Sequence, residues 1–431
     1  MTVTTWNIIG HRVIGLRRSI LRSFLHLLLA VGLLGAILWP THPQAGEAAP
    51  LPTPSGFENY TGAKLGGFQL STKLQAGLKA TDNIRLDPSQ KNDVMQLLNL
   101  NTAAKSDWLK HALAATASYL SQKASETTDE NTHALSATLS GRIDINNELN
   151  FKLGTLRQES IIGKNNPLQF SGLLHGTSRS NIIEAGLEWD NKKAFINLLG
   201  RHLKTTTHNE IDLIEFSEFQ NLDRNESELT LQVGKHWKWG EYYLLAGPQE
   251  ARYTGSTTIL SEDRDSTGGR LGAGIEFEQN DLQGIIRIIA FRQYFDAPSI
   301  PDVKSTVGTA QLIYKIDDRW SLSGILERNF DETNITSSGG LFTNLAAFGI
   351  LYVPRKDLYF KLSPAYRLYE IANTSYEARS TALDASLGWQ ITERIELLTN
   401  VTLSNQTVND SFLSNYDYSE KALTLSAVIT L

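Results

Sequence analysis

Beyond residue 60 the chain alternates between apolar and polar positions with a period of two, the signature of a strand whose faces meet different surroundings. The last segment is the clearest: Leu423, Leu425, Ala427, Ile429 and Leu431 fall on one parity, Thr424, Ser426 and Thr430 on the other. The pattern recurs at Phe68–Leu78, Leu135–Ile145, Leu229–Val233, Leu271–Phe277, Leu345–Val353 and Ile395–Leu403. Helical periodicity is weak throughout. Two segments, Ala194–Lys204 and Gly284–Gln293, are apolar on both parities and fit the template poorly.

Such segments number 18, starting near 67, 93, 111, 133, 148, 181, 194, 227, 241, 269, 282, 306, 320, 344, 358, 381, 395 and 421. Their connections alternate strictly between short turns, such as Asn146–Asn147 and Lys238–Gly240, and long polar stretches, such as 157–180 and 203–226. Greek-key crossovers give no reason for that rhythm. A meander crossing a slab does, because every short turn then lies on one side. The expectation is all-β: a transmembrane up-and-down antiparallel β-barrel of about 18 strands, with 16 as the alternative, over residues 67–431.

Tryptophans mark the slab. Trp108, Trp189, Trp237, Trp239, Trp320 and Trp389 all lie in or beside short turns, as an aromatic girdle at one membrane interface requires. Tyr119, Phe291, Phe330 and Tyr369 are expected to mark the opposite level. In hydrocarbon an unpaired backbone group costs several kcal/mol, so the sheet must close on itself. Leu and Ala then face lipid and polar residues face the lumen. The candidate lumen residues are Lys152, Glu228, Gln232, His236, Arg270, Glu276, Arg287, Lys361, Arg367, Asp384, Glu396 and Asn400. Taken singly each is an ordinary residue of a hydrated wall; together they predict a wet interior. A barrel of 16–18 strands leaves an aqueous channel unless a loop or plug fills it.

The first 50 residues differ from the rest. Arg12, Arg17, Arg18 and Arg22 precede an apolar run from Phe24 to Trp39, followed by Pro40, Pro43 and small residues through Ala49. A charged start, a short apolar stretch and a small-residue zone read as a secretory signal peptide. The run of about 16 residues falls short of the roughly 20 that a spanning helix needs. Residues 51–66 are a periplasmic lead-in, too short for a plug domain. Without the first 50 residues the chain carries 36 basic and 45 acidic residues, a formal charge of −9. That balance argues against a nucleic-acid partner. The absence of cysteine rules out a disulfide scaffold and thiolate metal sites.

Residues 68–120 resemble the putative beta-barrel porin 2 family of Gram-negative outer-membrane proteins. The likeness is carried by a first strand ending in Thr81-Asp82-Asn83-Ile84, by Asn92-Asp93 in the following loop, and by Leu97–Ala104 and Ser106-Asp107-Trp108-Leu109-Lys110-His111-Ala112-Leu113. It implies an outer-membrane barrel over about residues 60–431. Family members often belong to exopolysaccharide or capsule secretion systems, so the resemblance also implies an export role beside polysaccharide export machinery. Outer-membrane lipid and lipopolysaccharide are the other expected partners.

Residue patterns that carry chemistry are few. The histidines after the leader, His111, His133, His175, His202, His208 and His236, show no metal-ligand spacing. Asp263-Arg264-Asp265-Ser266-Thr267-Gly268 resembles part of a calcium loop but lacks its closing Glu. The acidic loops read as solvated faces, with divalent cations bridging lipopolysaccharide as a further use. No nucleophile elbow or phosphate loop occurs. No catalytic residue, cofactor or metal is expected. The leading function is passive export of a polysaccharide through a hydrated lumen. A general or solute-selective uptake porin, and an outer-membrane enzyme acting on lipid or glycan, stand as alternatives.

Overall fold

The computed structural model describes residues 62–162, 176–209, 223–254, 263–331, 338–409 and 417–431. The expected signal peptide and most of the lead-in lie outside these residues. A three-residue strand, β1 (Ala63–Leu65), precedes β2 (Phe68–Thr81), β3 (Asp93–Ser106), β4 (Ala112–Ala124), β5 (Thr132–Asp144), β6 (Leu149–Ile162), β7 (Gly176–Asp190), β8 (Ala194–Asn209) and β9 (Arg224–Trp237). Then follow β10 (Gly240–Tyr253), β11 (Ser266–Gln279), β12 (Leu282–Phe295), β13 (Val303–Lys315), β14 (Trp320–Asp331), β15 (Leu341–Arg355), β16 (Leu358–Ile371), β17 (Glu377–Thr392), β18 (Ile395–Val408) and β19 (Tyr418–Thr430). Among the described residues the helical content is one 3-10 turn, Thr128–Glu130.

Strands β2 to β19 each pair antiparallel with their sequence neighbours. The ring closes where β19 pairs β2, from Ala422 opposite Thr81 to Thr430 opposite Lys73. This is the expected closed 18-strand barrel. Closure extends to the last residue, whose N–H donates to the Thr72 carbonyl (2.8 Å) while its carbonyl accepts from the Thr72 N–H (2.9 Å). The short β1 folds back on β2 and uses the part of its ladder below that level.

Strand starts at the short-turn side fall within one residue of those expected from the alternation. At the loop side the strands begin up to five residues earlier, as β7 does at Gly176 rather than near 181. The reason is physical. A 14-residue strand tilted as in membrane barrels rises about 35 Å, more than the apolar band of about 25 Å. Above the band both faces are polar, so the alternation vanishes while the hydrogen-bond ladder continues.

The outer face is apolar and uncovered. Leu244 and Leu271 keep 64% of their surface, and Leu78, Leu153, Leu229 and Leu425 are also exposed. In water each would forfeit about 1.5–3 kcal/mol relative to burial; hydrocarbon removes that cost.

The inner face is less uniformly polar than expected. Phe195, Tyr243, Leu245 and Ile289 form one buried cluster, and Leu345 and Ala347 another. These explain the two segments with apolar residues on both parities. They are β8 and β12, whose inward Phe195 and Ile289 pack inside the wall while Ile196 and Leu198 face out.

β13 and β14 are registered over eight pairs, from Gly308 opposite Arg328 to Lys315 opposite Ser321. Above that level they part. Phe330 sits there between Phe291 and Phe342, with ring centroids 5.0 Å from each.

Candidate lumenal site

Register pairs keep residues of one parity on one face, which lets each strand's inner face be traced from the exposed leucines. All twelve candidate lumen residues fall on the face opposite those leucines.

Nearest the short turns, Lys152 Nζ lies 2.6 Å from Glu188, and His236 lies 3.1 Å from Asp190 and 3.5 Å from Glu241. Tyr359 donates to Glu396 (2.7 Å). Across the ring Ser386 donates to Asn400 (2.9 Å), Asn400 to Thr402 (3.1 Å) and Thr402 to Asp384 (2.6 Å).

A belt of alternating charge runs deeper, over β7 to β12. Arg201 stands in register between Glu184 and Glu228 and lies 3.4 Å from Glu184. Arg270 binds both Glu228 and Thr230, and Thr230 donates to Glu228 (2.9 Å). Arg287 donates to the Tyr243 hydroxyl (2.7 Å), which donates to Glu276 (3.1 Å). Three guanidinium groups and three carboxylates thus form a neutral chain with fixed polarity.

Two glycines make room for it. Arg270 reaches β9 by passing over Gly247, where a Cβ would meet the Leu229 backbone. The Tyr243 ring lies on its cross-strand partner Gly274, whose added Cβ would come 2.6 Å from the phenolic oxygen.

Two cavities meet at this belt. One of about 600 Å³ is lined by Arg142, Lys152, Glu188, Gln232 and Glu276. Another of about 660 Å³, toward the loops, is lined by Asn99, Gln158, Glu226, Gln249 and Asn329. Arg201, Glu228 and Arg270 line both. The charged chain therefore lies where the two cavities adjoin. The sequence singled out Glu228, Arg270, Glu276 and Arg287 but missed Glu184 and Arg201; the nearness of Tyr243 to a short turn reads as a girdle position beside Tyr242, Tyr352 and Tyr359, whereas its ring is buried on the inner face. Alternation within β7 and β8 would have placed Glu184 and Arg201 inward; the buried partner of Tyr243, a glycine, carries no sequence signal. Arg367 lies 3.5 Å from the Tyr369 hydroxyl, away from the belt. Lys361 is inward on β16, opposite Ser386.

Outside, Trp108 and Trp389 keep 46% of their surface, Trp237, Trp239 and Trp320 are likewise exposed, and Trp189 is half-buried. Trp237 and Trp239 pack edge to face at 5.4 Å, and Trp320 stacks on Tyr352 at 4.2 Å. At the opposite level the expectation needs correction. Tyr119 faces out, but Phe291 and Tyr369 are buried on the inner face and Phe330 fills the β13–β14 split. Outward rings at that level are Tyr119, Tyr294 and Tyr366.

The Thr81–Ile84 motif and Asp93 have structural roles. Asn83, fully buried, donates to the carbonyls of Asp87 (2.7 Å) and Ser419 (2.9 Å). Asp82 accepts from the Lys421 N–H (2.7 Å), and Thr81 donates to Glu420 (3.0 Å), which also holds Lys79 at 2.7 Å. Thr81-Asp82-Asn83 therefore rivets the first long strand to the last. Asp93 accepts from the backbone N–H groups of Glu126, Thr127 and Val94 and ties down the β4–β5 loop. It opens β3 at the loop end of the strand, beyond the outward leucines Leu98 and Leu100. Burial would raise its carboxyl, but the hydrogen bonds led by Thr127 outweigh that and pull it down to about 2. The partial calcium loop brings Asp263, Asp265 and Asp296 together. Arg252 lies 3.0 Å from Asp265 and 3.1 Å from Asp296 and supplies positive charge there.

A closed barrel with an apolar outer wall, a tryptophan belt and a polar interior defines an outer-membrane β-barrel. The chain belongs to the family described as putative beta-barrel porin 2, whose model matches residues 58–430. No curated protein matches it in sequence. Among solved structures it is similar to OccAB3 of Acinetobacter baumannii (10% identity, 85% of this chain and 100% of that chain, TM-score 0.47). It is also similar to the siderophore receptors PiuA of Acinetobacter baumannii (8%, 86% and 82%, 0.47) and PirA of Pseudomonas aeruginosa (7%, 84% and 80%, 0.43).

Proposed function

We propose that the protein is a passive outer-membrane channel whose lumen conducts a polar, carbohydrate-like polymer outward, with no chemical step. The observation that supports this most is the belt of Arg201, Arg270 and Arg287 interleaved with Glu184, Glu228 and Glu276, set where two lumenal cavities adjoin. A chain of neutral overall charge with donors and acceptors pointing inward offers exchangeable hydrogen bonds to hydroxyl-rich solutes without trapping a single ion. Weak, repeated sites of this kind favour conduction over tight binding. The inward, half-buried Tyr359 adds a ring beside Glu396, a surface suited to sugar faces.

Planar-bilayer recording tests this reading. Purified protein is expected to give open-channel current that neutral oligosaccharides interrupt at millimolar concentration. A deletion strain is expected to lose surface polysaccharide with unchanged uptake of small solutes. Current without block by sugars, and a deletion strain with normal polysaccharide but slower solute uptake, would support the alternative, a solute-selective uptake porin. The charged belt favours that second reading where the permeant is a small zwitterion. Family and fold point to transport rather than to an enzyme acting on lipid or glycan.

A further inference from the structure

The outer surface carries a patch that neither the channel nor the barrel requires. Above the leucines of β6 to β9, outward residues stand in three rows. Arg157, Asn181, Lys204 and Asn225 face one another in successive register pairs. Glu159, Arg179 and Thr206 form the row above, and Thr155, Ile183, His202 and Ser227 the row below. Arg179 is held by Glu159 at 3.0 Å. Arg157 and Lys204 are exposed and have no carboxylate within ion-pair distance among the described residues. Other rim arginines differ: Arg252, Arg328 and Arg379 are each paired with an acid.

Directly below the rows the wall changes character. Ala185 and Gly200 are cross-strand partners, flanked by the outward Leu153 and Leu229 in the same row. Ile183, Leu187, Leu198 and Leu231 lie on the adjoining rows, all exposed. The two small residues leave a shallow trough between leucines, beginning one row below the His202 row. Cations at headgroup height above an apolar trough match a lipid with an anionic head and several acyl chains.

We propose that this face of β6–β9 binds the phosphorylated, multiply acylated glucosamine lipid of the outer leaflet, with Arg157 and Lys204 on a phosphate and an acyl chain along Ala185 and Gly200. Asn181, Asn225 and Ser227 add donors for the sugar hydroxyls, and His202, bonded to Ser227 at 3.0 Å, closes the lower edge. The charge is local: the chain as a whole carries −6. This proposal rests on the outer-membrane reading above.

The test uses the full barrel in detergent, with purified diphosphoryl lipid A as the probe and dephosphorylated lipid A as its partner. Binding is followed by native mass spectrometry, and insertion into liposomes is read separately by heat-modifiable mobility. R157Q/K204Q is expected to bind diphosphoryl lipid A on the order of tenfold more weakly than wild type, with insertion unchanged. K304Q/K421Q, which removes two exposed outward lysines elsewhere on the rim, is expected to bind as wild type does. The dephosphorylated lipid is expected not to distinguish R157Q/K204Q from wild type. Equal binding by wild type and R157Q/K204Q, or equal weakening by the two double variants, overturns the proposal. Failure of the wild type to insert would instead strike the membrane reading beneath it.

Discussion

Replacing Arg270 by glutamine removes one positive charge from the lumenal belt and leaves a shorter, neutral donor in its place. Arg270 binds Glu228 and Thr230, so the variant leaves Glu228 facing the lumen without that cation. The belt then changes from three cations against three anions to two against three. A unit charge about 7 Å from an ion in water is worth about 0.6 kcal/mol, or nearly threefold in local ion concentration. At 0.1 M salt, where the Debye length is about 10 Å, screening roughly halves the energy. Reversal potentials across a salt gradient in planar bilayers read the effect. R270Q is expected to raise the cation-over-anion permeability ratio about twofold near 0.1 M and to change it little at 1 M, where the Debye length is about 3 Å. The pair is largely shielded from solvent, so removing one partner is expected to cost about 1–3 kcal/mol of stability. An unchanged ratio at low salt in a properly inserted variant would refute a belt that borders the conducting path.

Further outcomes follow from the rivet, the packing and the loop. Asn83→Ala strips two carbonyls of a buried donor and is expected to cost about 1–3 kcal/mol in urea unfolding, whereas Asn225→Ala on the outer rim is expected to cost under 0.5 kcal/mol. Gly274→Val forces the Tyr243 ring off its seat and is expected to destabilise by about 1–3 kcal/mol while weakening the Arg287–Tyr243 bond, both readable by urea melts and by altered conductance. The Asp93 carboxylate is lowered in the folded state, so its support of the β4–β5 loop is fully present above the ordinary aspartate value of about 4 and is lost as pH falls through about 2. The Thr127 amide resonance is expected to titrate with a midpoint near 2; a midpoint near 4 would show that the loop anchor does not form.

The strand number, the side of each turn and the tryptophan positions could be read directly from residues such as Leu423–Leu431 and Trp237, because lipid imposes a strict two-faced code on every strand it touches. Where lipid ends, so does the code. The loop-side ends of β7 and β8 were invisible because Arg179 and Thr206 are as polar as their inward neighbours. Phe291 and Tyr369 misled for the opposite reason: aromatic rings also fill the inside of a wall, and parity, not residue type, decides which face they take. The belt was half legible. Charged inward residues announce themselves, but the reach of Arg270 to a partner two strands away depends on a missing side chain at Gly247, on the strand between.

The chain contains no cysteine, so single introduced thiols report cleanly on each position. The most direct test of a tube wall, apolar outside and polar within, is labelling of single-cysteine variants at residues 229 to 233 on β9 in reconstituted liposomes. A membrane-impermeant maleimide should label positions 230 and 232, from the lumen, and leave 229, 231 and 233 to a lipid-soluble reagent. Uniform labelling of all five by the water-soluble reagent, or a repeat nearer four residues than two, would contradict the barrel and the transport reading together.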